Sequence, residues 1–175
     1  MTPSIIVLAL VTAQRLGELV LAARNTRRLL AKGGREVDAG HYPLLVLLHA
    51  AWLAGLWLLA WDRPVRWPWV ALFLVLQGLR LWVIATLGER WTTRIVVLPD
   101  APLVRRGPYR FFSHPNYAVV AAEIAVLPLA FGLVLYAAAF SLLNAGVLAI
   151  RLRAETRALA GGQRQSANGT AAHGP

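Results

Sequence analysis

The chain has 175 residues, of which 58% are hydrophobic, and its mean hydropathy is +0.55. A soluble domain of this length needs less apolar content, so the composition favours a membrane protein. The formal net charge is +10, but the basic residues lie in blocks between apolar stretches, which favours anionic lipid headgroups over nucleic acid as their partners. The sequence contains no cysteine, which excludes disulfides, thiolate catalysis and cysteine-ligated zinc.

Four apolar stretches organise the chain. A helix needs about 20 apolar residues to cross a hydrocarbon core, and the first three stretches meet that length: 3–23, 42–61 and 68–88. The fourth, 117–150, is too long for one span, and Pro128 with Gly132 predicts a break. The sequence therefore predicts an all-α polytopic membrane protein with five transmembrane helices, the last two (117–131 and 133–150) forming a hairpin.

The basic residues are unevenly divided among the loops. Five follow the first helix and two follow the second, whereas five follow the third and four follow the last. Because basic loops stay on the cytoplasmic side, we expect an inner-membrane protein with its N-terminus outside and its C-terminus in the cytoplasm. We expect one membrane domain over 1–160, with its catalytic part at about 86–159, and a polar, disordered tail over 161–175.

Five polar side chains fall within the predicted spans, where an ionisable group costs on the order of 2.5 to 3.5 kcal/mol. Arg15 and Glu18 are three residues apart on the first helix and could pair with each other. Glu123 has no cation within a helical turn, so it must protonate, reach Arg80 or another helix, or face a cavity. Asn144 could hydrogen-bond it. The sequence leaves open both a structural bridge among these groups and a polar substrate cavity.

The segment between the third and fourth helices has too many turn signals for a simple linker. Residues 95–98 predict a short strand or an interfacial stretch, and Gly107-Pro108 predicts a sharp change of direction. His114-Pro115 opens the fourth helix, because proline suits a first helical turn and the free amides there favour a negatively charged ligand group. A basic loop alone would indicate only a headgroup-binding surface, so it is the combination of motifs that points to a further function.

Three motifs follow one another in this part of the chain: Gly107-Pro108-Tyr109-Arg110, then His114-Pro115-Asn116-Tyr117, and residues 151–159 after the last helix. Together they resemble the isoprenylcysteine carboxyl methyltransferase family, integral-membrane enzymes that use S-adenosylmethionine. Glu123 and residues 128–132 and 140–145 further resemble a bacterial branch that O-methylates alkylpyrones and alkylresorcinols, long-chain lipids made by type III polyketide synthases. Two positions depart from the family pattern: Ser113 replaces an arginine and Thr156 replaces a second glutamate.

The resemblance implies S-adenosylmethionine as cofactor, bound by Gly107, Pro108, Tyr109, His114, Pro115, Asn116, Tyr117, Arg151 and Glu155. Glu155 can accept hydrogen bonds from the amino group or ribose, and Arg151 can engage the carboxylate. The predicted catalytic residues are Glu123, His114 and Asn144, with Glu123 as the base for an acceptor hydroxyl. No metal is implied, because His41 and His49 lack companion ligands at metal spacing; His49 is interpreted as a packing or cavity group.

The predicted reaction is methyl transfer to an oxygen of a lipophilic acceptor that arrives through the bilayer. An alkylresorcinol or alkylpyrone hydroxyl is favoured, and a prenylated cysteine carboxylate stays open. Membrane lipids are the other expected partners. The alternative is a non-catalytic membrane protein or small transporter in which Arg80, Glu123 and Asn144 line a solute path.

Overall fold

The computed structural model describes residues 2–37, 40, 42–99, 101–102 and 104–171, with side chains as far as Thr156. Within these ranges the chain forms five α-helices: Pro3–Ala31 (α1), Tyr42–Ala60 (α2), Trp67–Leu87 (α3), Pro115–Ala130 (α4) and Val134–Ala171 (α5). Two short strands, Arg35–Glu36 (β1) and Val96–Val97 (β2), and two 3-10 turns, Gly88–Arg90 and Gly107–Arg110, lie between the helices.

Four helices in the described ranges are long and apolar enough to cross a membrane: Pro3–Ala31, Tyr42–Ala60, Trp67–Arg90 and Val134–Thr156. Their exposed surfaces are apolar, since Leu58, Leu135 and Leu142 are each more than three-quarters exposed, as expected for lipid-facing side chains. At 16 residues, α4 is about 24 Å long, which is shorter than a straight span. The prediction of five spans is therefore supported for four helices, and a span by α4 stays a prediction.

The break between the last two helices falls at Gly132. Its amide donates to the Leu129 carbonyl and the Leu133 amide donates to the Pro128 carbonyl, both at 3.0 Å. Gly132 has φ of +72°, the left-handed conformation that glycine adopts readily at the end of a helix. Pro128 lies inside α4 and does not end it. The glycine therefore sets the turn that returns α5 along α4.

Two helices continue further than the sequence predicts. α1 runs to Ala31, about two turns beyond the predicted end at residue 23. α5 carries helical backbone to Ala171, where disorder was predicted from residue 161. A helix that is already nucleated gains one hydrogen bond for each added residue, so polar residues can extend it. Residues 172–175 of the predicted tail lie outside the described residues, and the domain boundary at residue 160 stays a prediction.

A two-stranded antiparallel ladder ties the α1–α2 loop to the α3–α4 loop. Arg35 pairs with Val97 and Glu36 with Val96. The Arg94 guanidinium adds two contacts to the Glu36 carboxylate, at 2.8 and 2.9 Å. The sequence predicts the second strand within 95–98 as one of two alternatives, but it gives no sign of the partner strand. The ladder fixes the start of the loop that carries the sequence motifs.

An interhelical ion cluster of Arg15, Glu18, Arg80 and Glu123 joins α1, α3 and α4. The fully buried Glu123 accepts from Arg15 at 2.8 Å and from Arg80 at 3.0 Å through Oε2, and from Gln77 at 2.9 Å through Oε1. Glu18 accepts from Arg15 at 3.1 Å and from Arg80 at 2.5 and 2.7 Å. Two carboxylates thus neutralise two guanidinium groups, which is the structural bridge that the sequence left open.

Replacing Glu123 with alanine should destabilise the fold strongly, because Arg15 and Arg80 would then share one carboxylate inside the helix bundle. Breaking a buried ion pair costs about 3 to 5 kcal/mol. Thermal unfolding of the protein in detergent measures the effect. Glu89→Ala is the matched control: its pairs with Arg28 and Lys32 are exposed and screened by solvent, so their loss should change the unfolding temperature little. Equal losses for the two variants would contradict the role given to the ion cluster.

Candidate active site

A polar cleft with a cavity volume of about 160 Å³ lies where the α3–α4 loop meets the start of α4 and the middle of α5. Six of the residues predicted to bind a cofactor line the cleft: Tyr109, His114, Asn116, Tyr117, Arg151 and Glu155. The segment before the fourth helix and the segment late in α5 therefore form one site. Ser113, one of the two departures from the family pattern, also lines it.

The hydroxyl of Tyr117 links the elements that form this cleft. It donates to Glu155 Oε2 at 2.5 Å and accepts from Arg151 Nε at 2.8 Å. Arg151 Nη1 donates in turn to the Thr93 carbonyl at 2.6 Å. One chain of hydrogen bonds, from Thr93 through Arg151 and Tyr117 to Glu155, thus connects the loop with α4 and α5.

His114 stands at the start of α4 and packs against Tyr117. The two rings stack with centroids 5.4 Å apart and an angle of 9° between their planes. His114 Nδ1 lies 3.9 Å from Glu155 Oε2, too far for a hydrogen bond but close enough for electrostatic attraction when the ring is protonated. Its side chain is 40% exposed, so the imidazole can reach a ligand in the cleft.

Gly107 and Pro108 position Tyr109 and do not line the cleft themselves. Gly107 has φ of +56°, and a Cβ there would lie 2.5 Å from Thr86 Oγ1, so only glycine lets the Gly107–Arg110 turn pack on α3. Burial, together with the nearby Glu155 carboxylate, raises the pKa of Tyr109 to about 12. Tyr109 therefore stays protonated at neutral pH and is a hydrogen-bond donor at the edge of the cleft.

A second cavity, the apolar chamber, lies among α1, α2, α4 and α5 and has a volume of about 280 Å³. Eight of its 21 lining residues are aliphatic, among them Leu16, Leu45, Val46, Leu53, Val120 and Leu148, and Arg15, Glu18 and Arg80 of the interhelical ion cluster line it as well. Five residues line both this chamber and the polar cleft: Trp91, Thr92, Asn116, Tyr117 and Arg151. We call these five the shared wall. The wall brings a polar site and an apolar site into contact.

Two polar atoms of the shared wall are buried without a hydrogen-bond partner among the described residues: Trp91 Nε1, a donor, and Asn116 Oδ1, an acceptor. Trp91 is 3% exposed. Leaving a buried donor or acceptor unpaired costs roughly 1 to 3 kcal/mol, so such groups call for a partner. A ligand with its own donors and acceptors at this wall would supply one.

Comparison with known proteins places the chain in a family. The model of the Isoprenylcysteine carboxyl methyltransferase (ICMT) family matches residues 69–161. The chain belongs to this family. It is 36% identical over 160 residues to the Uncharacterized protein YpbQ of Bacillus subtilis (strain 168), an alignment that covers 88% of this chain and 95% of that protein. It is also 25% identical over 165 residues to an Uncharacterized protein of Haemophilus influenzae (strain ATCC 51907 / DSM 11121 / KW20 / Rd), covering 88% and 93%. No solved structure matches.

Membership of the ICMT family indicates a membrane methyltransferase and confirms the family resemblance seen in the sequence motifs. The matched residues contain the whole polar cleft and three of the five helices in full or in part. Neither relative's name specifies a methyl acceptor.

The structure does not support two of the predicted catalytic residues. Glu123 is fully buried, lines neither the polar cleft nor the apolar chamber, and accepts from Arg15, Arg80 and Gln77, so its contacts are structural ones. Asn144 is 1% exposed and makes no hydrogen bond to Glu123 within the described part of the chain. Electrostatics explains the difference: the guanidinium groups of α1 and α3 pair with the buried carboxylate more strongly than a neutral amide would. Of the three residues of the alternative solute path, Arg80 lines the apolar chamber, whereas Glu123 and Asn144 line neither cavity.

The sequence motifs did not identify Asn25, whose side chain bonds to the start of the α3–α4 loop beside the site. Asn25 lies in the unpredicted last turns of α1, is 3% exposed, and donates to the carbonyls of Gly88 at 3.1 Å and Trp91 at 2.9 Å. The one signal for it in the sequence is an uncharged amide among the basic residues that follow the first apolar stretch. Thr156 turns back onto its own helix, donating to the Leu152 carbonyl at 2.8 Å, so it does not replace the second glutamate of the family.

Replacing Asn25 with alanine should loosen the start of the α3–α4 loop, because the Trp91 carbonyl would lose its donor and the Gly88 carbonyl would keep only the Trp91 amide. A buried carbonyl left unpaired costs about 1 to 3 kcal/mol. We expect a lower unfolding temperature and faster protease cleavage between residues 91 and 107. The exposed neighbouring substitution Arg24→Ala should change neither quantity. Cleavage at the same rate in both variants would show that Asn25 does not hold the loop.

Proposed function

We propose that this membrane methyltransferase transfers a methyl group from S-adenosylmethionine to the hydroxyl oxygen of a lipophilic acceptor, with an alkylresorcinol or alkylpyrone as the favoured class. The observation that carries the proposal is the shared wall. A polar cofactor in the cleft and an alkyl chain in the apolar chamber would meet at Trp91, Asn116 and Tyr117. The cofactor would stay in a polar environment and the alkyl chain in an apolar one.

The residues of the polar cleft fit the cofactor's chemistry. S-adenosylmethionine carries an amino-acid end and a ribose, and when bound it supplies an electrophilic methyl group on a sulfonium. Glu155 is the carboxylate that would accept from the amino group or the ribose, and Arg151 has one guanidinium nitrogen left for the carboxylate after its bonds to Tyr117 and Thr93. The unpartnered Trp91 Nε1 and Asn116 Oδ1 offer a further donor and acceptor.

The apolar chamber suits the acceptor's alkyl chain. Drawing such a chain out of the bilayer into water would cost about 0.8 kcal/mol for each methylene, and a chamber between the helices avoids this cost. The reacting oxygen must lie about 3 to 3.5 Å from the methyl carbon, so the polar head has to be held at the shared wall. The aliphatic lining, together with a wall that is polar, fits a molecule with one polar end.

Asn116 favours an acceptor that carries a hydroxyl over one that carries only a carboxylate. Its unpartnered atom is Oδ1, which only accepts hydrogen bonds. A phenol or enol hydroxyl donates to such an atom, whereas an ionised carboxylate presents only acceptors to it. We therefore place the hydroxyls of alkylresorcinols and alkylpyrones before the carboxylate of a prenylated cysteine.

The distribution of basic residues supports a cleft on the cytoplasmic side of the inner membrane, with the N-terminus outside. The loop from Arg90 to Arg110 and the polar end of α5 would then lie on the side where the cofactor is made. The arginines of this loop would contact anionic headgroups while the acceptor approaches from the bilayer.

Removing either polar side chain that faces the cofactor should weaken its binding. We expect Glu155→Gln and His114→Ala each to lower the affinity for S-adenosylmethionine by about tenfold or more, since a hydrogen bond to a charged group contributes about 1.5 to 3 kcal/mol. Calorimetric titration of the detergent-solubilised protein measures this. Glu89→Gln, whose carboxylate pairs with Arg28 and Lys32 outside the cleft, is the control and should bind as the unmodified protein does.

Unchanged affinity in both Glu155→Gln and His114→Ala would contradict the cofactor site. Transfer of a labelled methyl group from S-adenosylmethionine to pentadecylresorcinol in detergent tests the reaction itself. A protein that binds the cofactor but labels only a prenylated cysteine would keep the site and overturn the acceptor class.

A further inference from the structure

His49 has a ring nitrogen that no protein group occupies. It lies on α2 and its side chain lines the apolar chamber. Nδ1 is 2.9 Å from the carbonyl oxygen of Leu45, one turn earlier in the helix. A carbonyl only accepts, so Nδ1 carries the proton and Nε2 of the neutral ring keeps its lone pair. Within the described residues, Nε2 has no hydrogen-bond partner.

The other polar groups around the chamber cannot take up a proton at neutral pH. Glu18 is held by two guanidinium groups, and the Tyr117 hydroxyl already donates to Glu155. The hydroxyls of Thr12 and Thr92 donate to backbone carbonyls. The arginines of the lining are already protonated, and an amide such as that of Asn116 accepts hydrogen bonds but is not a base. This leaves the imidazole of His49.

The packing of α2 on α4 places Leu45, one helical turn before His49, at the level of the shared wall. The Trp52 indole donates to the Ile124 carbonyl at 3.2 Å, which fixes the two helices against each other. Both helices start near the loop that carries Thr93, because the Tyr42 hydroxyl contacts Thr93 and Tyr117 is linked to it through Arg151. Leu45 precedes Trp52 by as many residues as Tyr117 precedes Ile124, so Leu45 and Tyr117 lie at about the same depth. The bond to Leu45 turns the His49 ring towards that depth.

We propose that His49 is the general base of this methyltransferase and takes the proton of the acceptor hydroxyl at Nε2. The inference rests on the proposed function. As the acceptor O–H bond breaks, its proton moves to Nε2 and the oxygen's electron pair forms the new bond to the methyl carbon. The carbon–sulfur bond breaks and its electron pair stays on sulfur, which becomes a neutral thioether. The imidazolium returns its proton to water after the product leaves.

The charge that His49 would carry lies beside the interhelical ion cluster, whose two positive and two negative members give it no net charge. A phenol has a pKa of about 10 and is neutral at pH 7, so its oxygen is a weak nucleophile until a base is present. General-base catalysis contributes about 10² to 10⁴-fold to such a step.

Nitrogen NMR on the cofactor-free protein tests the tautomer. In protein with ¹⁵N-labelled histidine, with His49 assigned from the His49→Gln variant, Nε2 should give a pyridine-type signal that moves on addition of pentadecylresorcinol. A pyrrole-type signal for Nε2 would overturn the proposal. So would an Nε2 signal that does not move on addition of pentadecylresorcinol, if the enzyme methylates this compound when S-adenosylmethionine is supplied.

Kinetics with two acceptors separates a base from a packing residue. His49→Gln should lower kcat for pentadecylresorcinol by about 10²-fold or more, with unchanged calorimetric affinity for S-adenosylhomocysteine. The loss should shrink for a ring-fluorinated pentadecylresorcinol, because a more acidic hydroxyl depends less on a base. Val46→Ala, a change to an apolar residue of the same chamber, should affect both acceptors alike and only weakly.

The outcomes distinguish this inference from the proposed function. An unmodified protein that binds no cofactor would overturn the proposed function, and the base with it. An active enzyme whose rate is unaffected by His49→Gln, or falls equally for the two acceptors, would overturn the base alone and leave the methyltransferase intact.

Discussion

The hydrogen bonds at the Tyr117 hydroxyl are the interaction on which the site depends. Tyr117 lies in the first turn of α4, and Glu155 and Arg151 lie far along α5, so the two segments meet only because the turn at Gly132 returns α5 along α4. Donating to one residue and accepting from the other, the hydroxyl closes the space between the helices. The polar cleft and the apolar chamber meet at the shared wall formed there, and the proposed reaction requires both.

The role of Glu123 is to neutralise charge inside the helix bundle. A buried carboxylate is costly without partners, and α1 and α3 each supply a guanidinium group that reaches it. The same contacts that stabilise the fold leave the carboxylate with no free oxygen to act on a substrate. The proposed general base is therefore a neutral group, His49, which combines an accessible lone pair with a fixed tautomer.

The apolar stretches and the motifs were enough to predict the five helices and six of the fifteen residues that line the polar cleft, because hydrophobic length and local turn chemistry depend on consecutive residues. The partners of Glu123 could not be predicted, since they depend on how three helices rotate against one another. The same reason explains why Asn144 was wrongly paired with Glu123 and why Asn25 was missed. The pairing of β1 with β2 joins two distant loops and has no local signature. Only the packed structure shows that Trp91 faces two cavities.

The indole N–H of Trp91 tests most directly whether the polar cleft and the apolar chamber meet at the shared wall. Its NMR resonance, assigned from the Trp91→Phe variant, can be followed during separate titrations with S-adenosylhomocysteine and with pentadecylresorcinol. Each ligand alone should shift this resonance, because the Trp91 side chain lines both cavities. A resonance that stays in place with either ligand, although that ligand binds, would show that the cleft and the chamber do not meet at this wall.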